Sequence, residues 1–265
     1  MIPNILSIAG SDPSGGAGVQ ADIKAISANG GYAMAVLTGL TAQNTQGVWA
    51  VDLVSPEMVT AQIAAIRADI RIDAVKIGML GSAAIISAVV AALDGLTAPI
   101  VLDPVMVAKG GDRLLASEAV AALRDYLLPR ATVITPNLPE AADLLTLHEA
   151  QDRDGMAAQA RLLLDLGPGA VLLKGGHLSE ADAPDLLVTS EGARWFDGSR
   201  FATKNTHGTG CTLSSTLATL LGRGLPLPEA VATAKIYVAG AIAAADRLRV
   251  GHGHGPTHHF HALWR

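Results

Sequence analysis

Cysteine is nearly absent from this sequence, which contains one cysteine among 265 residues. A single cysteine excludes an internal disulfide framework and is compatible with a reducing compartment. The first residues, Met-Ile-Pro-Asn-Ile-Leu-Ser, have neither the basic start nor the apolar core of a signal peptide. We therefore predict a soluble, cytoplasmic protein.

Aromatic residues, basic runs and long apolar runs are also scarce. Aromatic residues make up 3% of the chain and hydrophobic residues 50%, so the core must be built from Ala, Val, Ile and Leu, as in α/β enzymes with buried parallel strands. The net charge of −5 and the lack of a basic run argue against a nucleic-acid partner. The longest charge-free apolar stretch, residues 77–93, is interrupted by glycine and serine, which argues against a membrane span.

Apolar strand-like segments alternate with helical segments along most of the chain. The predicted strands cover residues 2–9, 32–40, 48–54, 74–78, 99–103, 132–135 and 170–174, with an antiparallel edge hairpin at 185–189 and 193–197. The predicted helices cover residues 19–29, 56–70, 83–93, 118–127, 139–145, 154–166, 211–221 and 227–248. Strands separated by helices imply a largely parallel sheet. We predict one domain, residues 1–265, with a three-layer α/β/α architecture and a mostly parallel central sheet.

The only cysteine, Cys211, lies where a glycine-containing turn enters an apolar helix. Gly208 and Gly210 allow the backbone to turn tightly and to approach a ligand closely. The start of a helix presents unpaired N–H groups and the positive end of the helix dipole, which favours an anion. A thiol at that position is expected to have a lowered pKa and to accept a proton. Alternatively, Cys211 is a small buried hydrophobic residue and the glycines form an ordinary turn.

A second glycine-rich loop, residues 10–18, follows the first predicted strand and leads into a helix. This arrangement is typical of a phosphate or substrate loop, but it is not a Walker A loop because no Gly-Lys-Ser/Thr follows. Asp22, one turn into the helix, is expected to face the mouth of the loop and contact substrate. The alternative is a surface residue that compensates the helix dipole.

Unusual polar residues fall at the C-terminal ends of the predicted strands, which is the edge where open parallel sheets bind ligands. Gln43 offers both a donor and an acceptor, as reading the edge of a heterocycle requires, although an ordinary turn glutamine would look the same. Asp103 and Glu140, with Asn137 beside them, could hold Mg²⁺ partly through water. Lys174 would lie over phosphates as a point charge. Together these residues favour phosphoryl transfer.

The C-terminal region consists of the long apolar helix predicted at 227–248 and a tail at 251–261 that holds five of the eight histidines. The histidine spacing matches no zinc pattern. We expect the tail to dock on the domain or on a second subunit.

Six motifs, taken together, resemble those of hydroxymethylpyrimidine/phosphomethylpyrimidine kinases of the ribokinase-like superfamily, in the same order and over essentially the whole chain. The motifs are residues 7–22, Ala42-Gln43-Asn44-Thr45, Lys76-Ile77-Gly78-Met79-Leu80, Thr135-Pro136-Asn137-Leu138-Pro139-Glu140-Ala141, Leu173-Lys174-Gly175-Gly176-His177 and Asn205-Thr206-His207-Gly208-Thr209-Gly210-Cys211. The resemblance implies two successive ATP-dependent phosphorylations, of the pyrimidine alcohol and then of its monophosphate, in thiamine biosynthesis.

The resemblance also implies roles for individual residues. Around the pyrimidine it places Gly10, Ala17, Asp22, Gln43 and Met79. Near magnesium it places Asp103 and Glu140, and near the phosphates of ATP it places Asn137, Lys174, Thr206 and Thr209. The anion hole would include Gly208, Thr209 and Gly210, with Cys211 as the base. We expect a homodimer that binds neither a nucleic acid nor a membrane.

Two other functions fit the same sequence. A kinase of pyridoxal or pyridoxine would share the fold and the cysteine, and turnover of the two substrates would distinguish them. A binding or regulatory protein that has kept the pocket is disfavoured, because the base, the anion hole and the metal acids are all present. Sugar kinases of the superfamily carry Asp at the position of Cys211, which points towards a vitamin-type substrate.

Overall fold

The computed structural model describes residues 1–106, 117–178 and 182–264. The strands are β1 (Asn4–Ala9), β2 (Tyr32–Leu37), β3 (Gly39–Asn44), β4 (Gly47–Leu53), β5 (Ala74–Ile77), β6 (Ile100–Leu102), β7 (Val133–Ile134), β8 (Ala170–Lys174), β9 (Asp185–Thr189) and β10 (Gly192–Phe196). The helices are α1 (Gly18–Ala28), α2 (Pro56–Asp69), α3 (Ala83–Ala92), α4 (Ser117–Ala122), α5 (Leu138–Leu145), α6 (Arg153–Leu164), α7 (Thr209–Gly222) and α8 (Leu227–Ala243).

Eight strands form the central sheet, in the order β10-β9-β8-β7-β6-β5-β1-β2. The strands from β8 to β2 pair in parallel, whereas β9 and β10 add an antiparallel hairpin at one edge. The predicted mostly parallel sheet with an antiparallel edge hairpin is therefore confirmed. Strands β3 and β4 form a separate two-stranded sheet.

Apolar clusters cover both faces of the sheet. On one face, side chains of α2 to α6 pack against β1, β5 and β6, with Leu6 and Ile77 fully buried. On the other face, side chains of α1, α7 and α8 pack against the same strands, with Leu217 and Ala234 fully buried. Strands that are buried on both faces need continuous apolar runs, which explains the aliphatic composition. The predicted three-layer α/β/α architecture is confirmed.

Two segments differ from the sequence prediction, and the first of them affects the site. The strand predicted at 32–40 divides at Thr38, whose hydroxyl donates to the carbonyl oxygen of Met79 (2.6 Å). The chain then continues as β3, so Gln43 lies on a strand and not in a turn. The helix predicted at 118–127 consists of α4 followed by a π-helical turn, Leu123–Leu127.

Among the described residues, one helical segment, Leu227–Arg247, is long and apolar enough to cross a membrane by length and composition alone. In this structure its residues Ala230, Val231 and Ala234 belong to the apolar cluster on the sheet. Lys235 on the same helix donates from Nζ to Asp185 Oδ2 (2.6 Å). The core thus accounts for part of its apolar character, since 28% of its apolar window is buried.

Candidate active site

A cavity of about 1200 Å³ opens at the C-terminal edge of the parallel strands. The sequence-predicted residues that line it are Gly10, Ala17, Gln43, Met79, Asp103, Asn137, Glu140, Lys174, Thr206, Gly208, Thr209, Gly210 and Cys211. They come from the ends of several strands and from the start of α7. Parallel strands bring these ends to one edge, although the residues are far apart in the sequence.

The start of α7 packs closely against the glycine-rich loop at Gly208. Gly208 has φ of +76°, a backbone conformation that residues with a side chain rarely adopt. A Cβ there would overlap the carbonyl oxygen of Gly16. At Gly210, a Cβ would lie 3.2 Å from Asp103 Oδ2 and 3.4 Å from Lys174 Nζ. These two glycines therefore allow the loop on one side and a buried ion pair on the other to approach the N–H groups of the helix.

Asp103 and Lys174 form an ion pair beside the helix start. Asp103 Oδ1 accepts from Lys174 Nζ (3.0 Å) and from Thr135 Oγ1 (3.0 Å). Among the described residues, the hydrogen bond to Asp103 Oδ2 comes from the hydroxyl of Ser214, at 3.5 Å. Burial lowers the pKa of Lys174, but Asp103 and Glu140 more than offset this and leave it raised. Lys174 is thus a permanent cation at the cavity wall.

Glu140 takes part in the N-terminal capping of α5. The Asn137 N–H donates to Glu140 Oε2 (2.8 Å), and the Glu140 N–H donates to Asn137 Oδ1 (2.8 Å). Burial and the neighbouring Asp103 raise the pKa of Glu140 to about 7, although Lys174 acts in the opposite direction. The capping box fixes the Glu140 carboxyl near Asp103, and its negative charge is only partly compensated there.

The fit of these residues to a magnesium ion rests on two carboxylates. The described part of the chain contains no group of three or more His, Cys, Asp or Glu side chains that could hold a metal. Mg²⁺ usually binds through one or two carboxylates together with water and substrate phosphates. Asp103 and Glu140 match that pattern, because both carboxyl groups line the cavity. The negative charge of Asp103 also makes ionisation of Glu140 more costly, which a cation between them would relieve.

Asp22 is not part of the cavity wall, which corrects its expected contact with substrate. Its side chain is fully buried and accepts from Ser7 Oγ (2.6 Å) and Ser215 Oγ (2.7 Å). Lys76 Nζ donates to both of its carboxylate oxygens at 2.9 Å. The side chain of Asp22 turns from α1 towards this buried ammonium group and away from the loop mouth. Asp22 is therefore the counter-ion of Lys76.

Lys76 lies within one of the family motifs, and its role was not predicted from the sequence. The available signal was a lysine in an apolar, buried strand, where a charge needs a partner. Lys76 is fully buried, and it also borders the cavity next to Cys211. Asp22, Cys211 and Asp103 oppose the effect of burial and raise the pKa of Lys76 overall.

Cys211 lines the cavity, but its thiol does not have the lowered pKa that the helix start suggested. Burial raises the pKa of Cys211 to about 11, and Asp22 and Asp103 act in the same direction. Lys76 and the backbone N–H of Gly18 lower it by less. Burial therefore outweighs the opposing effects of Lys76 and the Gly18 N–H on the pKa, and the thiol of the free protein is protonated at neutral pH.

Asp12 and His207 form a pair that was not predicted from the sequence. Asp12 is buried and accepts from the N–H groups of Gly16 (3.1 Å) and Ala17 (2.8 Å) in the glycine-rich loop. His207 Nε2 lies 2.8 Å from Asp12 Oδ2. Burial opposes ionisation of Asp12, but the hydrogen bonds from His207 and Ser14 lower its pKa to about 2. The pair connects the glycine-rich loop to the start of α7.

Gln43 faces the cavity from β3. Its nearest polar contacts, His207 Nε2 and Thr41 Oγ1, are both 3.4 Å away, which is long for a hydrogen bond. The Gln43 amide therefore retains capacity for a ligand. Met79 also lines the cavity, and it occupies space that a Cβ at Gly10 would take, since that Cβ would lie 2.7 Å from Met79 Cε. An amide and a thioether thus both border the cavity.

The chain matches known proteins over nearly its whole length. The family model for phosphomethylpyrimidine kinase matches residues 12–258. The hydroxymethylpyrimidine/phosphomethylpyrimidine kinase of Escherichia coli strain K12 is 52% identical over 262 residues, which are 98% of this chain and 98% of that protein.

Two solved structures are similar in fold. The phosphomethylpyrimidine kinase of Clostridium difficile 630 is 43% identical, with a TM-score of 0.81, and covers 91% of this chain and 99% of its own. The pyridoxal kinase of Bacillus subtilis, solved as an ADP complex, is 35% identical, with a TM-score of 0.92, and covers 100% of both chains. The backbone similarity thus extends to a vitamin kinase of different substrate, while the sequence is closer to the pyrimidine kinases.

Proposed function

This chain belongs to the phosphomethylpyrimidine kinase family, and we propose that it phosphorylates 4-amino-5-hydroxymethyl-2-methylpyrimidine with ATP and then phosphorylates the monophosphate to the diphosphate, in thiamine biosynthesis. One observation carries the proposal beyond family membership. A single cavity contains an open glutamine amide, a glycine-containing helix start with the only cysteine, and an acid–lysine group. A pyrimidine, a transferred phosphoryl group and a nucleotide require these three kinds of group.

We propose that each of these groups has a separate role in the reaction. Gln43 and Met79, with Gly10 and Ala17, bind the pyrimidine. Asn137, Lys174, Thr206 and Thr209 bind the phosphates of ATP. Phosphoryl transfer depends mainly on positioning and on stabilisation of developing charge. The N–H groups at Gly208, Thr209 and Gly210 supply preorganised donors for that charge.

Asp103 and Glu140 are the residues that would hold magnesium at the cavity. A magnesium ion held there would supply positive charge against the charge that develops on the transferred phosphoryl group. The protein itself contributes the permanent charge of Lys174, held at 3.0 Å from Asp103 Oδ1.

We propose that Cys211 Sγ accepts the proton of the attacking hydroxyl group. In the second step it accepts a proton of the monophosphate. Only the thiolate can accept a proton, and at a pKa of about 11 it is a minor form of the free protein at neutral pH. Turnover is therefore expected to rise with pH through the neutral range. Lys76 borders the cavity beside this sulfur and is the nearby cation that favours its charged form.

We further propose that the whole chain folds as one kinase domain that acts as a cytoplasmic homodimer. The hairpin of β3 and β4 supports the dimer, because an isolated two-stranded sheet is only marginally stable. Its large apolar side chains are exposed, namely Leu40 (50%), Trp49 (62%), Val51 (45%) and Leu53 (40%). Light scattering of the native protein and of the Trp49→Glu variant would test this. The native protein should be a dimer and the variant a monomer, and a monomeric native protein would overturn the proposed dimer.

Purified protein, incubated with the pyrimidine alcohol and MgATP, provides the direct test of function. Chromatography that separates the monophosphate from the diphosphate should show both products in sequence. Pyridoxal serves as the competing substrate, because the pyridoxal kinase of Bacillus subtilis has a similar backbone. A larger kcat/KM for pyridoxal would overturn the proposal in favour of a vitamin B6 kinase. Tight binding of the pyrimidine without product would indicate a binding protein.

A further inference from the structure

The histidine-rich C-terminal segment docks on the described chain beside two segments that line the active-site cavity, the β3 strand and the loop before α7. We call residues 251–259 the C-terminal strap. It leaves the end of α8, passes the turn that joins β3 to β4, and then runs beside the loop that precedes α7. None of the residues proposed to bind substrate or to act in catalysis lies in this segment.

The strap first contacts Thr45, in the turn of the hairpin. The His254 N–H donates to the Thr45 carbonyl oxygen (2.8 Å), and the Gly253 N–H donates to Thr45 Oγ1 (3.1 Å). A Cβ at Gly253 would overlap the Thr45 carbonyl, and one at Gly251 would overlap the Thr45 hydroxyl. Thr45 itself is buried under the strap.

This contact explains the alternation of glycine and histidine in the strap. Gly251 has φ of +66°, in the left-handed region that favours glycine. The glycines at 251 and 253 lie against Thr45, where only a hydrogen atom fits, whereas His252 and His254 are exposed on the outer side. The repeated glycines thus serve close backbone approach, and the exposed histidines are not required for it.

The strap next pairs with the loop that leads into α7. The His207 N–H donates to the Gly255 carbonyl oxygen (3.0 Å), and the Thr257 N–H donates to the His207 carbonyl oxygen (3.3 Å). The Gly255 N–H donates to Asn205 Oδ1 (3.1 Å). These bonds form a short parallel bridge between His207 and Pro256. The residue after His207 is Gly208, where the anion hole begins.

Beyond the loop, the strap is anchored to the helices α7 and α8. His259 Nε2 lies 3.1 Å from Thr212 Oγ1, one residue after Cys211. The Tyr237 hydroxyl donates to the His259 carbonyl oxygen (2.6 Å), and the His258 N–H donates to the Ala241 carbonyl oxygen (2.9 Å). Burial lowers the pKa of His259 to about 4, so this anchor stays neutral and is insensitive to pH near neutrality.

We propose that the C-terminal strap is a positioning element that sets the distance between Gln43 and the start of α7. It rests on the proposed function, because it assigns the two sides of the cavity to pyrimidine and phosphoryl binding. Gln43 lies two residues before Thr45, and Cys211 one residue before Thr212. The strap binds both neighbours. Loosening it should misplace the Gln43 amide relative to Cys211, while Asn137 and Lys174, which the strap does not contact among the described residues, keep their positions.

The experiment compares Gly253→Ala with the matched control His252→Ala. Gly253→Ala should raise the KM for the pyrimidine alcohol about tenfold or more, since misplacement of about 1 Å costs up to about 10²-fold. The KM for ATP should change by less than about twofold. Hydrogen exchange should accelerate in residues 39–53 and 204–211 as well as in the strap. His252→Ala should match the native protein in every measurement.

Thr45→Val provides a second, milder variant if Gly253→Ala does not fold. It removes the hydroxyl that accepts from Gly253 and keeps the shape of the side chain, so the same pattern is expected at smaller size. Equal changes in the KM values for the pyrimidine alcohol and for ATP would overturn the proposal. Hydrogen exchange that is faster only in residues 251–259, or kinetics like those of the native protein, would also overturn it. Exchange needs no substrate, so it tests the strap even if the native protein fails to phosphorylate the pyrimidine, a failure that would count against the proposed function alone.

Discussion

Two groups of buried charges approach Cys211, and they differ in how completely they are paired. The rear group consists of Asp22 and Lys76, both with side chains 0% exposed and with both carboxylate oxygens bonded. The front group consists of Asp103, Glu140 and Lys174; within the described part of the chain, Asp103 Oδ2 has one donor, the Ser214 hydroxyl at 3.5 Å. Burial and Asp103 also raise the pKa of Glu140 to about 7.

The difference indicates which charges belong to the fold and which to the function. A buried pair whose hydrogen bonds are all satisfied can be retained for structure alone, but it becomes costly when one partner is removed. A carboxyl group whose pKa is shifted at a cavity is available for a cation or a proton. On this basis the rear group supports the site and the front group takes part in it.

The largest expected effect is that of Cys211→Ala, which leaves both charge groups intact. Loss of a general base lowers turnover by about 10²–10⁴-fold, with the KM for the pyrimidine nearly unchanged. The product-resolved kinase assay measures both steps. Near-native turnover would mean that the N–H groups at the start of α7, and not the thiol, provide most of the catalysis.

Asp22→Asn tests the rear group, and its expected effect is on stability. Removing one partner of a buried ion pair costs about 3–5 kcal/mol, because the charge of Lys76 is left uncompensated. Urea unfolding should show this loss of free energy, while the magnesium requirement of the folded variant stays native.

Asp103→Asn is the matched change in the front group and should give the reverse pattern. It removes a negative charge beside the proposed magnesium, so the magnesium concentration for half-maximal rate should rise and kcat should fall. Its free energy of unfolding should fall by less than that of Asp22→Asn, because Lys174 keeps Glu140 as a neighbour. Glu140→Gln should resemble Asp103→Asn. If Asp22→Asn alone altered the magnesium requirement, the comparison of the two groups would be wrong.

Gln43→Leu extends the comparison to a polar group that carries no charge. Its amide has no contact shorter than 3.4 Å among the described residues, so its loss should cost the fold little. It should weaken pyrimidine binding by about 1–3 kcal/mol for each lost contact, with the KM for ATP unchanged. Equal weakening of both substrates would show a structural role instead.

The smallest effect concerns the rate at which iodoacetamide labels Cys211, measured by mass spectrometry. Because the pKa is raised to about 11, the reactive thiolate is scarce at pH 7 and should increase about tenfold for each unit of pH up to that value. Lys76→Met removes the cation that opposes burial and should slow labelling at a given pH. Rapid labelling at pH 7 would instead support the lowered pKa expected from the helix start.

Sequence patterns and the family resemblance were sufficient for the architecture and for thirteen residues of the cavity wall. Apolar segments predicted most strands and helices to within a few residues, because burial on both faces demands continuous apolar runs, but they did not predict β3. The turn at Gly208 was predictable as well, since glycine is favoured at a positive φ, whereas its contact with Gly16 was not. The polar residues after the strands were expected at one edge, because parallel strands end there.

Tertiary structure alone decided how those groups are partnered. Asp22 lies 54 residues from Lys76, and no local pattern shows that its side chain turns away from the loop. The pKa of Cys211 depends on how tightly other segments enclose it, which the helix start by itself does not reveal. The glycines of the strap are explained only by Thr45, 208 residues from Gly253. Side-chain direction, burial and long-range backbone contact arise from packing between distant segments, whereas strand periodicity and glycine conformation are local properties of the chain.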